Sequence, residues 1–166
     1  MSKWKIVIGE TMLRADFPDV WKETKKNTKV VLAIMQTPDG KYNPITLEWF
    51  MRTSIKPPMI AISIGHQRYS YDCLQVADSF NVCYLSDEMM DALKLCGSKS
   101  GRDMDKLIES KEEWFHGRYR KLPILKNAVA NFECQIVSQV RSGDHTIFVG
   151  EVKYSWVNKD KELLFL

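Results

Sequence analysis

The chain has little of what builds the commonest reactive centres. Its 166 residues include four cysteines and three histidines. No C-x-x-C pair joins Cys73, Cys83, Cys96 and Cys134, which excludes the usual zinc and thioredoxin spacings and predicts buried thiols in a reducing cytoplasm. No H-x-x-H or H-E-x-x-H pattern offers a metal site, and nothing local sets a serine or cysteine nucleophile against a histidine. G-x-G-x-x-G is also absent, so a nicotinamide cofactor, if used, is not held by that motif.

An excess of one charge is missing as well. The net charge of +3 is too small to argue for a nucleic-acid partner, and the basic run of Lys22, Lys25, Lys26 and Lys29 reads as a solvated face. The longest purely apolar stretch, Val30 to Met35, is far too short to cross a bilayer, and the amino terminus lacks the layout of a secretion signal. A cytoplasmic protein without a membrane partner is expected. With 45% hydrophobic and 27% charged residues, the composition is that of an ordinary globular chain, expected to form one domain over residues 1–166.

What is present is a series of β-rich runs with helices inserted between them. Val30–Met35 predicts a strand covered on both faces, Thr37-Pro38-Asp39-Gly40 a turn, and Tyr42–Phe50 its partner strand. After the break at Pro57-Pro58, Met59–Ile64 predicts another buried strand, ending at Gly65. Helical spacing over Ser70–Ser79 gives way to a strand at Phe80–Leu85, and Ser86 is placed to cap a helix from Asp87 to Leu95. A short helix is expected at Met104–Ser110. Two long strands, Ala130–Val140 and His145–Val157, reverse at Arg141–Asp144, and Leu163–Leu166 reads as a last strand. This pattern points to a closed or nearly closed β-barrel rather than a βαβ sheet.

The stretch from Cys96 to Lys106 concentrates two glycines, two hydroxyls and three cations, as a small phosphate requires. Glycines let backbone N–H groups approach an anion, and Ser98 and Ser100 can donate to its oxygens, with Asp103 placed to cap the helix that follows. A Gly/Ser-rich turn with solvated lysines is the other reading of this stretch. His145 opens a strand after a turn, where it is either a surface histidine or one aimed into a barrel mouth. Trp49 is core or the face on which a planar ligand packs. Asn43 and Thr46 begin the same strand as Trp49. Arg68 and Ser70 stand at a helix start, where Ser70 is either an N-cap or a donor to an anion.

These pieces carry a resemblance. Asn43-Pro44-Ile45-Thr46-Leu47-Glu48-Trp49, Pro57-Pro58 with Ile62-Ser63-Ile64-Gly65, Arg68-Tyr69-Ser70, Gly97 to Asp103 with Lys106, and Gly143 to Val152 occur in the order and spacing of the flavin reductase-like, flavoredoxin-type FMN-binding proteins. The chain resembles that family over roughly residues 28 to 166, whereas the segment up to Asn27 fits poorly. The resemblance implies a mainly β fold with inserted helices, an FMN-binding split β-barrel of Greek-key type that forms a homodimer, with FMN near the subunit interface.

The resemblance also implies roles for individual residues. Asn43 and Trp49 are expected beside the ring system and ribityl chain, Thr46 as a further cofactor-binding residue, and Ser70, Ser98, Ser100, Arg102 and Lys106 around the phosphate, with Arg68 nearby. His145 is expected near the isoalloxazine as the catalytic candidate, and Phe165 as a further contact. Proline after Asn43 departs from the small residue more usual there. The activity implied is an FMN-dependent oxidoreductase of the NAD(P)H:flavin reductase type, with NADH or NADPH as donor. The alternative is a flavoredoxin-like electron carrier reduced by a protein partner.

Overall fold

The computed structural model describes residues 28–166, so Lys22, Lys25 and Lys26 of the basic run and the poorly matching segment up to Asn27 lie outside the described residues. The first hairpin follows the sequence pattern. Strand β1 (Val31–Gln36) pairs antiparallel with β2 (Tyr42–Leu47), and Gly40, at φ 84°, supplies the conformation its turn requires. β1 is buried along almost its whole length because both of its faces are covered, which is why it reads as a continuous apolar run.

The second strand does not run on to Phe50 as expected. It stops at Leu47, and after Glu48 and Trp49 the chain enters β3 (Phe50–Ile55), which pairs with β4 (Pro58–Gly65) across a turn containing a cis Lys56–Pro57 bond. The break has a local cause. The Phe50 N–H turns back to the Glu48 carbonyl at 3.2 Å, while the Trp49 carbonyl accepts from the Ser63 N–H of β4 at 2.9 Å, so the chain changes partners there.

Helix α1 (Tyr69–Val76) leads to β5 (Ser79–Tyr84), then a single 3₁₀ turn (Asp87–Met89) and α2 (Met90–Ser98). Ser86 occupies the N-cap position of that turn, but its side chain makes no capping bond. A four-residue helix α3 (Lys106–Glu109) is shorter than expected, and Asp105 rather than Asp103 caps it, accepting from the Ile108 N–H at 3.2 Å. The stretch before Lys126 forms a small ladder of β6 (Trp114–His116) and β7 (Pro123–Leu125). β8 (Ala130–Ser142) and β9 (His145–Val157) make the long terminal hairpin, and Leu163–Leu166 contributes isolated bridges rather than a strand.

The main sheet has seven strands in the order β2-β1-β5-β8-β9-β4-β3. Its two outermost strands, β2 and β3, are joined in sequence through Glu48 and Trp49 alone, so the sheet must curl until its edges meet. Inside the resulting barrel Met35, Ile62, Phe80, Cys134 and Phe148 pack in one cluster. A second cluster, with Leu32, Ile34, Leu85, Leu93 and Leu107, lies between the outer face of β1 and β5 and the helices α2 and α3. Burying large side chains of this kind contributes about 1.5–3 kcal/mol each. All four cysteines are buried and free, as expected, and burial pushes the Cys96 and Cys134 thiols up to about 11 and about 12.

Candidate functional site

Segments distant in sequence converge where β4 ends and β9 begins. They enclose a cleft of about 530 Å³, within the range of small-molecule sites. All but two of the expected site residues line it: Thr46, Trp49, Arg68, Ser70, Ser98, Ser100, Arg102, Lys106 and His145. Asn43 does not. It is buried behind Ser70 and Gly101 and borders a second hollow on the other side of the loop. Phe165 does not line the cleft either, because its segment bridges to Lys29. Sequence reasoning missed Glu48, Gln67, Tyr69 and Lys99 as lining residues. Tyr69 and Lys99 lay inside motifs already singled out, so adjacency was the available signal.

One end of the cleft is built to receive an anion. The Lys99 N–H closes α2 on the Leu95 carbonyl at 3.0 Å, while the N–H groups of Ser100 and Gly101 have no acceptor among the described residues. Ser100 Oγ accepts from the Arg102 N–H at 3.2 Å, leaving its own proton to donate. Lys106 lies behind the loop, 3% exposed, with Nζ donating to the Cys96 carbonyl at 3.3 Å. No described carboxylate pairs with it, and burial pulls its pKa below the ordinary 10.5. A buried ammonium with one neutral acceptor costs free energy that a bound anion would offset.

The remaining polar groups have more definite local duties. Arg102 pairs with Asp72 and lies over the Tyr69 ring at 5.3 Å, so its charge is already shared. Arg68 has no carboxylate partner among the described residues. Thr46 Oγ1 donates to the Leu93 carbonyl at 2.7 Å and thereby ties β2 to α2. Ser70 is not an N-cap: it lies inside the first turn of α1, and its Oγ accepts from Asn43 Nδ2 at 2.8 Å.

The other end of the cleft is aromatic. The Trp49 and His145 rings have centroids 4.6 Å apart and planes inclined by 40°. His145 faces Gly65 across the β4–β9 ladder, and a Cβ at Gly65 would come within 3.3 Å of its Nε2. Its Nδ1 lies 2.7 Å from Asp144 Oδ1, and that contact holds the Asp144 carboxyl below its usual range. Trp49 is 43% exposed, a flat apolar surface at the mouth.

The donor set therefore suits a ligand with a phosphate at one end and a flat ring at the other. Free N–H groups and an unpaired buried lysine serve the first, and an indole beside an imidazole serves the second. No described cluster of His, Cys, Asp and Glu could hold a metal ion, and no described helix is long and apolar enough to cross a membrane.

Comparisons with known proteins bear on the fold and the family. A flavin reductase from Pseudomonas putida is 31% identical over a match covering 83% of this chain and 78% of that protein. In fold, the chain is similar to the NADH:FAD oxidoreductase of Streptomyces globisporus, with a TM-score of 0.80, 24% identity, and 91% and 88% of the two chains covered. It is also similar to the flavoredoxin of Methanosarcina acetivorans, with a TM-score of 0.74, 22% identity, and 98% and 91% covered. These likenesses establish the split β-barrel fold. The chain spans 63% of the length of a relative from Archaeoglobus fulgidus and 44% of one from Aeropyrum pernix. Residues 26–166 match the model of the flavin reductase like domain, and with the barrel and cleft in place the chain belongs to that family.

Proposed function

We propose that this chain is a single-domain FMN-binding oxidoreductase of the NAD(P)H:flavin reductase type, passing hydride from a nicotinamide to bound flavin and then electrons to an acceptor. One observation carries the reading. Among the described residues, Lys106 is a buried cation without a carboxylate, set behind a loop whose Ser100 and Gly101 N–H groups lack acceptors. Such a site is completed by a phosphate monoester, and the aromatic end of the same cleft accommodates a planar ring. Relatives named as an NADH-dependent FAD reductase and an FMN reductase (NADH) support the choice of ligand and donor.

Each residue has a part in this reading. Ser98, Ser100, Lys106 and the Gly101 backbone would hold the phosphate, with Arg68 raising the local positive potential and Arg102 bordering the site while paired with Asp72. Trp49 would pack against the ring system. His145, fixed by Asp144 and by its seat over Gly65, would stand beside the ring and position the reductant. Bound FMN supplies the chemistry of accepting hydride and releasing electrons singly or in pairs. The four buried free thiols suit a reducing cytoplasm. Exposed Met51, Ile55, Val137 and Val140 supply apolar surface of the kind a homodimer would cover.

The exposed face of Trp49 also fits a second reading, an electron carrier that a redox protein reduces. Mixing purified protein with FMN and then with NADH or NADPH under anaerobic conditions tests both. A flavin spectrum that bleaches rapidly supports the reductase, and one that bleaches only with a protein donor supports the carrier. Protein that binds no FMN overturns both.

A further inference from the structure

The resemblance places Asn43 against the ligand, yet the residue is 2% exposed and does not line the cleft, lying behind the lining residues Ser70 and Gly101. Its neighbours define a different task. Nδ2 donates to Ser70 Oγ at 2.8 Å and lies 3.7 Å from Met35 Sδ. A thioether sulfur can only accept, so the contact with Met35 fixes which end of the amide is nitrogen. The other end, Oδ1, is buried without a partner against Gly101, where a Cβ would sit 2.1 Å from it.

This arrangement determines what Ser70 can do. A serine hydroxyl carries one proton and can act as donor or acceptor. Because Asn43 supplies the proton between the two side chains, the Ser70 proton is not used toward Asn43, and no described group accepts it. We propose that Asn43 is a positioning residue that makes Ser70 an obligate donor into the cleft, selecting a ligand that presents an acceptor oxygen, here the phosphate of FMN. The inference rests on the flavin reading above and adds to it a polarity imposed from behind the site.

A double-substitution cycle in flavin affinity tests it. FMN and riboflavin, which lacks the phosphate, are titrated by fluorescence quenching into wild type, Asn43→Ala, Ser70→Ala and the double variant, with each fold checked by thermal melting. Asn43→Ala and Ser70→Ala are each expected to weaken FMN about three- to tenfold, the double variant no more than Ser70→Ala alone, and riboflavin affinity is expected to hold within about twofold. If the alanine variant does not fold, Asn43→Leu fills the space without restoring the donor and carries the same cycle. Losses that multiply, or that fall equally on riboflavin, overturn the positioning role while leaving the flavin reading intact. Wild type that binds neither flavin overturns both.

Discussion

The Trp49 indole and the His145 imidazole lie with their centroids 4.6 Å apart and their planes inclined by 40°, although ninety-five residues separate them in the chain. The β4–β9 ladder makes this contact, because it sets His145 opposite Gly65 while the Trp49 carbonyl is tied to Ser63 of the same β4 strand. His145→Asn keeps a polar side chain there but loses the imidazole. Reduction of bound flavin by NADH should slow about tenfold, a loss of ~1.4 kcal/mol of transition-state stabilisation, with FMN affinity little changed. Stopped-flow bleaching measures the rate, and an unaltered rate would remove His145 from the reaction.

Lys106 separates binding from stability. Lys106→Met keeps the length of the side chain and removes the buried charge, so the ligand-free protein should melt at an equal or higher temperature while FMN affinity falls roughly 10- to 100-fold. Ser100→Ala combined with Lys106→Ala should likewise weaken FMN without unfolding the protein. Calorimetric titration beside thermal melts distinguishes these outcomes from general damage.

The same lysine predicts a pH dependence. Burial lowers its pKa in the folded state below 10.5, so over the window just under 10.5 the unfolded chain binds more protons than the native one. This group's contribution to stability therefore rises with pH through that window, and its cost is fully present below the lowered value. The wild-type melting temperature minus that of Lys106→Met should climb as pH increases toward that range in ligand-free protein. A flat difference would show that the ammonium is not destabilised by burial.

Gly101 and Gly143 offer a matched pair. A Cβ on Gly101 would meet Asn43 Oδ1 at 2.1 Å and Tyr69 Cδ1 at 2.9 Å, so Gly101→Ala must displace the loop, costing about 1–3 kcal/mol and weakening FMN together. Gly143 has φ +61° and open space around it. Gly143→Ala should cost about 1 kcal/mol of backbone strain and leave FMN affinity alone. Urea melts and flavin titration of both variants test the contrast.

Glu133 is expected to matter for the fold and not for the site. It is fully buried, and its carboxylate accepts from the Tyr119 N–H at 2.7 Å and from Trp156 Nε1 at 2.8 Å, pinning the β6–β7 connection to β8 and β9. Glu133→Ala leaves both donors unpaired and should destabilise the protein by about 2–4 kcal/mol. FMN affinity per folded molecule should be unchanged, because none of these residues borders the cleft.

Much of this architecture was legible along the chain. β1 could be read from an unbroken apolar run, and the β8–β9 hairpin from alternating strands around a glycine turn. The break at Glu48 and Trp49 was not legible, since Ile45, Thr46, Leu47, Trp49 and Phe50 all suit a strand and only the Phe50–Glu48 turn and the Ser63–Trp49 bond to β4 end β2 there. Capping was misjudged for a similar reason. Ser70, Ser86 and Asp103 are all competent caps in isolation, but Ser70 is engaged by Asn43 from another strand, and Asp105 lies where the chain actually enters α3.

By itself the sequence determined the kind of chemistry available: glycine and hydroxyl groups beside a lysine for an anion, an indole and an imidazole for a flat ring, and no metal-ligand spacing. Residue types and local periodicity are properties of the chain, so they can be read from it. Only the tertiary structure decided the loop's role. It buried Lys106 without a carboxylate partner among the described residues, engaged Arg102 with Asp72, and placed Asn43 behind Ser70 instead of in the cleft. Those outcomes depend on which distant groups share a low-dielectric space, and the curling of the sheet through Glu48 and Trp49 sets that.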